Sequence, residues 1–377
     1  MKRLSLLSLL LSLLIGSVNT AFPMCPSAPL AQRADSIVYR DASSLPLYGK
    51  AYADDGPRYR RLPASLQPSL RAELWRLGCN SAGLYLRFRT DAPEIHARWT
   101  NTAYHMPHMT DCAVGGLDLY AYIDGKWRFV GAAFDSPKDT PTQHHRKLVA
   151  NMQPQMREYM LYLSLYDEVK SLELGVPEGY TIHQPELASP RSQSPIVMYG
   201  TSILQGACAS RPGMAHTNIL ARQLDRTVIN LGFSGNAHLD TAIALLRASV
   251  VQPAVFVLDY VPNCKPELIR QNGEAFFRIL RRAHPTTPVL FVEDPQFPHG
   301  VVNQSVSRDI HDRNAAQRML YQSLVDAGER NVFYVSSDGM TGPEDFVDGI
   351  HFTDQGMRHY ANHLAPILAK AIATQTE

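Results

Sequence analysis

Net charge is almost absent from this 377-residue chain: 36 Lys and Arg stand against 35 Asp and Glu, a formal balance of +1. That leaves no electrostatic basis for gripping nucleic acid or an anionic membrane surface. No basic stripe or recognition motif appears either, so nucleic acid is excluded as a partner. No apolar run reaches the roughly 20 residues that a membrane-spanning helix needs. Cysteine is sparse: Cys25, Cys79, Cys112, Cys208 and Cys264 are widely spaced, with no C-x-x-C pair. This excludes a dense disulfide framework and the usual zinc patterns. There is no internal repeat and no low-complexity tract. The G-x-S-x-G nucleophile elbow is missing too; the nearest stretch, Gly200 to Gly206, reads GTSILQG.

What is present describes an ordinary globular protein, 45% hydrophobic and 19% charged, long enough for two domains. Met1-Lys2-Arg3 precedes an apolar run of about fifteen residues, LSLLSLLLSLLIGSV, followed by small and polar residues around Asn19 to Ala21. A positive start, a short apolar stretch and small residues form the layout of a secretory signal peptide over residues 1–21. The expectation is an exported protein, periplasmic, secreted or outer-membrane associated, with no integral span once the leader is removed. A single-pass anchor and a lipidated Cys25 are the alternatives. Export also permits disulfides; Cys208 and Cys264 sit on loops expected to lie close and could pair, with free buried thiols as the alternative.

Two halves follow different rhythms. Over residues 36–183, AGLYLRFRTD, EIHARWTNT, LDLYAYIDGKWRFVGAAF and REYMLYLSLYDEVKSLELGV alternate with period two. These are half-buried strands, and the Asp-Gly of YIDGKW is a hairpin signal. The half reads as an antiparallel, jelly-roll-like β-sandwich. QPELASPRSQS, residues 184–194, is polar and carries two prolines, and is read as a linker. From Pro195 to the end, PIVMYG, TVINLGF, AVFVLDY, PVLFVED and NVFYVSS are apolar without alternation, as strands covered on both faces are. Helical patterns separate them at 214–224, 239–249, 265–283 and 305–327, and a last one follows Thr353. Strand–helix alternation predicts an α/β domain with a parallel sheet between helical layers, whose reactive groups gather at the carboxyl ends of the strands.

Several polar residues fall at those ends. Ser202 follows the first strand, Gly235 and Asn236 the second, Asn263 the third; Asp348 and His351 stand just before the final helix. Acyl transfer needs these residue types. A serine hydroxyl needs a base within hydrogen-bond reach, for which His351 is the candidate. The imidazole needs an acceptor on its other nitrogen, and Asp348 is three residues away. An oxyanion needs fixed donors, which the backbone N–H groups of Ser202 and Gly235 and the amide of Asn263 supply.

The set resembles the SGNH hydrolases, the GDSL esterase/lipase superfamily. Its blocks appear as YGTSILQG, with Thr201 in place of the family's Asp; NLGFSGN; YVPN, lacking the usual glycine two residues before Asn263; and DGIHF. The resemblance covers about residues 195–370. It implies a flavodoxin-like three-layer α/β/α fold, Ser202 as nucleophile and no metal or other cofactor. GLDLYAYIDGKWRFVG together with GTSILQGACASRPGMAHTNILARQL is also similar to exported two-domain SGNH esterases of Bacteroidetes. That likeness implies a small-acyl, chiefly acetyl, esterase acting on a small-molecule or glycan ester. A lipase or phospholipid acylhydrolase of the same family is one alternative; a carbohydrate-binding protein on a degenerate scaffold is the other.

A looser set of residues surrounds these. His105, His108 and Asp111 in AYHMPHMTDC, with His144 and His145 later, carry too few strong ligands for a zinc site. His105 and His108 are instead candidates for a sandwich loop that reaches the substrate. Arg211 is a candidate for meeting a polar or anionic substrate group, with a loop-holding salt bridge as the alternative. His238 is a candidate pocket residue, while Glu293 and Asp294 at the end of the fourth strand are read as holding neighbouring loops.

Overall fold

The structure, a computed structural model, describes residues 36–52, 55–135 and 142–374. The stretch read as a leader, and Cys25, therefore lie outside the described residues. The described residues form one compact unit. Its first half contains β1 (Ile37–Asp41), β2 (Leu47–Tyr48), α1 (Ala72–Gly78), β3 (Tyr85–Thr90), β4 (Ile95–Thr100), α2 (Asp111–Gly115), β5 (Leu117–Ile123), β6 (Lys126–Ala133), β7 (Gln143–Val149), β8 (Arg157–Tyr162) and β9 (Ser171–Pro177). These strands build two antiparallel sheets, ordered β1-β9-β4-β7 and β2-β3-β8-β5-β6. The alternating residues face one another between them: Phe88, Trp99, Leu119, Leu161 and Leu174 are all but inaccessible. The Asp-Gly turn joins β5 to β6 with both residues at positive φ, 51° and 75°. That is the backbone a two-residue hairpin requires.

The second half contains β10 (Arg191–Gly200), α3 (Ser202–Gln205), α4 (His216–Gln223), β11 (Arg226–Gly232), α5 (Thr241–Ala248), β12 (Val255–Asp259), α6 (Pro266–Ala283), β13 (Val289–Val292), α7 (Gln304–Asp326), β14 (Val332–Val335) and α8 (Asp354–Ala373). Its five strands are parallel in the order β11-β10-β12-β13-β14. The chain leaves β10 on one side to make β11 and returns past it to make β12, so β10 is the switch point. The missing alternation has its reason here. On β10, Ile196 and Met198 join the core under α4 and α8, while Val197 and Tyr199 join the core under α5 and α6.

Two sequence readings shift. β10 starts at Arg191, where Arg191 pairs with Arg226 of β11, so part of the stretch read as linker is strand. β7, QHHRKLV, with only His144 and Leu148 buried, carries too little apolar signal to be read as a strand; its partner β4 supplies the ladder.

The outer face of the five-stranded sandwich sheet packs on the second half through tyrosines. Their rings are apolar enough to bury and their hydroxyls still need partners. Tyr85 hydrogen-bonds Thr227 Oγ1 at 2.8 Å, and Tyr162 accepts from Arg222 at 3.1 Å. Arg61, 1% exposed, crosses the same boundary and donates to the carbonyls of Leu77 and Asn80 on one side and Asn230 and Gly232 on the other.

A carboxyl lies inside the parallel sheet. Asp259 ends β12 fully buried, accepts a 2.8 Å hydrogen bond from the Tyr360 hydroxyl, and has its pKa pushed up to about 8 by burial. Its protonated form is the one the fold favours, so its contribution is complete below about pH 4 and is lost as pH rises towards 8. Asp259→Asn keeps an acceptor for Tyr360 and cannot ionise. Thermal melts should give it the wild-type Tm near pH 4–5 and a Tm higher by on the order of a few °C at pH 8–9.

Candidate active site

Strand order turns separated residues into neighbours. Ser202 follows β10, Gly235 follows β11 and Asn263 follows β12, the two strands that flank β10. Tight packing makes these turns. A Cβ on Gly200 would lie 2.4 Å from the Asp259 carbonyl oxygen, and one on Gly232 would lie 2.2 Å from the Gln205 nitrogen. Thr201, standing where the family has Asp, still caps α3: its hydroxyl accepts from the Ile203 N–H at 3.3 Å. Asp348 and His351 arrive from the loop after β14. Ser210 is the tie, donating to Asp354 through its N–H at 2.8 Å and its hydroxyl at 2.5 Å, and so holding the start of α8 against the loop behind Ser202.

The resulting geometry is a continuous chain. Ser202 Oγ lies 2.8 Å from His351 Nε2, and His351 Nδ1 lies 2.7 Å from Asp348 Oδ2. The other Asp348 oxygen accepts the N–H groups of His351 at 2.8 Å and Ile350 at 3.1 Å, which locks the carboxylate beneath the ring. Burial works to raise this carboxyl, but those N–H groups and the His351 ring outweigh it and hold it at about 2. Asn263 accepts the Ala237 N–H through Oδ1 at 3.2 Å, leaving the amide nitrogen as its other polar end. Gly235 sits at φ 65°, where a side chain is disfavoured. Among the described residues no backbone acceptor takes the N–H of Ser202 or Gly235.

Ser202, Gly235, Asn263 and His351 line one cleft of about 410 Å3, together with Phe297, His299, Asp309, Arg313 and Ile350. Phe297, His299, Asp309 and Arg313 went unread in the sequence, because the loop after β13 and the face of α7 carry no motif; Ile350 lies within the DGIHF block, which was read only for Asp348 and His351. Gln205 was missed as well. It is wholly buried, accepts the Ser234 N–H at 3.1 Å and donates to Asn80 and Leu165, bracing the Gly235 loop against α3 and the sandwich. Its position three residues after Ser202, on a four-residue helix, was the available signal.

The looser candidates separate. His108 reaches the site, its ring centroid 5.6 Å from that of His351. His105 turns away to Asp111, 3.0 Å from its Nδ1, and lines no part of the cleft. His238 stands behind the Gly235 loop, outside the cleft lining, and burial, aided by nearby Arg71, lowers its pKa. Arg211 also lies off the cleft: it is committed to Asp118 at 2.6 Å and to the Tyr120 hydroxyl at 2.5 Å, and stacks 3.8 Å over Phe129. This is the loop-holding alternative. Glu293 accepts from Ser337 and Tyr334, and Asp294 pairs with Arg313 at 2.7 Å, so both hold neighbouring segments. Cys208 and Cys264 are free thiols donating to the carbonyls of His108 and Ala237, so of the two readings, a disulfide or free buried thiols, the structure has the second. Burial and then the Asp348 charge push the Cys208 thiol up to about 12, so it stays protonated at neutral pH.

Comparison with known proteins places this geometry. The GDSL-like lipase/acylhydrolase family matches residues 193–369, and a family described as the N-terminus of SGNH-hydrolase-type esterases, GxDLY, matches residues 37–182. A Bacteroides ovatus protein assigned to the GDSL-like lipases is 34% identical with a TM-score of 0.85, over 90% of this chain and 98% of its own. A salicylyl-acyltransferase, SsfX3, from a tetracycline biosynthetic pathway is 18% identical, TM-score 0.71, over 90% and 98%. An acetyl xylan esterase, Est2A, from the rumen bacterium Butyrivibrio proteoclasticus is 11% identical, TM-score 0.54, over 89% and 99%. No curated protein matches the sequence. The chain belongs to the GDSL-like lipase/acylhydrolase family within the SGNH hydrolases. It is a carboxylic ester hydrolase.

The letters of GxDLY fall on Gly116, Asp118, Leu119 and Tyr120, and each has a physical task. A Cβ on Gly116 would meet the Cys112 carbonyl oxygen at 2.5 Å; Leu119 fills the sandwich core. Asp118 is wholly buried, accepts from Arg211 and from the Gly213 N–H, and so pins the loop behind Ser202. Tyr120 packs on Gly213, where a Cβ would come within 2.5 Å of its ring. Arg211→Ala strands the Asp118 carboxylate and should lower stability by about 3–5 kcal/mol, read by urea unfolding. Below its Tm the variant should keep the wild-type KM for a small aryl ester, since Arg211 does not face the cleft.

Proposed function

We propose that this hydrolase is an exported serine esterase that removes small acyl groups, acetyl foremost, from carbohydrates. The observation that carries the reading is the Ser202–His351–Asp348 chain of hydrogen bonds at 2.8 and 2.7 Å. Ser202 Oγ attacks the ester carbonyl while His351 Nε2 takes its proton, and Asp348 holds the ring and faces the imidazolium that forms. The carbonyl oxygen, now negative, is met by the N–H groups of Ser202 and Gly235 and by Asn263 Nδ2. His351 returns the proton to the leaving alcohol. Water then adds to the acyl-enzyme by the same route and releases the acid. No step calls for a cofactor.

An open cleft with apolar Phe297 and Ile350 beside polar His299, Asp309 and Arg313 suits a short acyl chain on a hydroxylated alcohol. The acetyl xylan esterase among the similar structures supports that substrate class, and the leader-like N-terminus supports export.

Ser202→Ala should remove turnover of an aryl acetate while leaving the thermal melt intact; a folded variant at the wild-type rate would refute the mechanism. Asn263→Ala should lower kcat on the order of 10²–10³-fold, the usual loss of one oxyanion donor. Asp348→Asn should lower kcat on the order of 10²–10⁴-fold. Because the Asp348 carboxyl is held at about 2, it stays ionised above about pH 3, and no inflection of kcat/KM between pH 3 and 7 should belong to it. A panel of acyl lengths and acetylated xylo-oligosaccharides tests the substrate. Preference for long chains would favour a lipase, and inert wild-type protein would favour a binding module.

A further inference from the structure

Four side chains able to ligate a metal meet at the edge of the cleft: His108 from the sandwich, Cys208 behind α3, and Asp348 with His351. One ligand atom from each lies within 4.8 Å of all the others. Two of these residues have no part in the proposed chemistry, yet both are held in place. Cys208 is buried at φ 65°, a backbone state uncommon outside glycine. Its thiol donates to the His108 carbonyl at 3.2 Å, fixing the two residues together. The His108 ring lies beside that of His351, and among the described residues nothing hydrogen-bonds to its nitrogens.

We propose that this cluster binds a thiophilic divalent cation, Zn²⁺ or Cd²⁺, and that binding switches the esterase off. One sulfur, two imidazole nitrogens and one carboxylate oxygen form the donor set of a closed tetrahedral zinc site. Bonds of about 2.0–2.3 Å place such ligands roughly 3.3–3.8 Å apart, so the four groups need close by only about an ångström. Cys208 releases its proton to solvent as the metal–sulfur bond forms. The ion takes lone pairs of His351 and Asp348, the groups the proposed mechanism needs to accept the Ser202 proton and orient the ring. A bound ion and a working base therefore exclude each other. The inhibitory half of the proposal rests on the esterase reading; the binding half does not.

The test uses the full-length enzyme in metal-free buffer, titrated with ZnCl₂ and CdCl₂. One readout is aryl acetate hydrolysis, scaled to each protein's own metal-free rate; the other is the thiolate-to-Cd²⁺ charge-transfer absorption. Cys208→Ser keeps a donor for the His108 carbonyl but removes the sulfur, and His108→Phe keeps a ring against His351; melts check that each folds. Inhibition of the wild type should be reversed by EDTA. The charge-transfer band should vanish in Cys208→Ser, and both variants should need at least about tenfold more metal for half-inhibition. An active wild type unmoved by metal, unchanged midpoints in both variants, or a band that survives in Cys208→Ser would each overturn the site. If Cys208→Ser fails to fold, the midpoint of His108→Phe decides alone. A metal-free wild type without esterase activity would instead overturn the esterase reading, and the Cd²⁺ band with its loss in Cys208→Ser would still report on the site.

Discussion

The buried Asp118 carboxylate is the constraint around which the two halves are organised. It sits on β5 at the outer face of the sandwich, with no water to solvate it, so its charge must be met by protein. Arg211 and the Gly213 N–H meet it, and both belong to the loop that follows Ser202. The same loop carries Ser210, which holds Asp354 and with it the approach to His351. Thr110, from the sandwich loop that bears His108, donates to the Ser210 carbonyl at 2.6 Å. A charge buried far from the cleft thus helps set the distance between a serine and a histidine 149 residues apart.

This gives the sandwich a role beyond that of a neighbour. Tyr166, just after β8, donates to the Ser202 carbonyl at 3.3 Å, and Asn80 and Leu165 accept from Gln205. The floor beneath Ser202 is therefore built partly from the first half. Arg61 adds a second tie, one guanidinium shared among four carbonyls from both halves. Polar groups buried at a boundary hold it in one register, because any other leaves them unpaired.

Much of this was legible from residues alone, for reasons that differ by element. Period-two alternation revealed β3, β4, β5, β6, β8 and β9 because alternate residues, Leu86 and Phe88 on β3 or Leu117 and Leu119 on β5, turn into the sandwich core. Continuous apolar runs revealed the five parallel strands because both faces are covered. β7 escaped because its partner, rather than its composition, makes it a strand. The Asp348–His351 contact was readable because it is local, spanning three residues. Arg211 resisted reading: an arginine near a serine looks the same whether it faces substrate or a buried carboxylate 93 residues away. Sequence left open whether Cys208 and Cys264 pair, because both follow strand ends of the site; each thiol instead faces a different carbonyl, of His108 and of Ala237.

The sequence by itself determined the class of each half, the family blocks and the residue types needed for acyl transfer, since these rest on periodicity and on side-chain chemistry. The tertiary structure alone decided which strand lies next to which, and so that Ser202, Gly235 and Asn263 share one cleft. It also decided that His108 and Cys208 stand beside His351 while His105, His238 and Arg211 do not. Adjacency across a sheet, and the partner a buried charge finds, are set by long-range packing, and no local window of residues contains them.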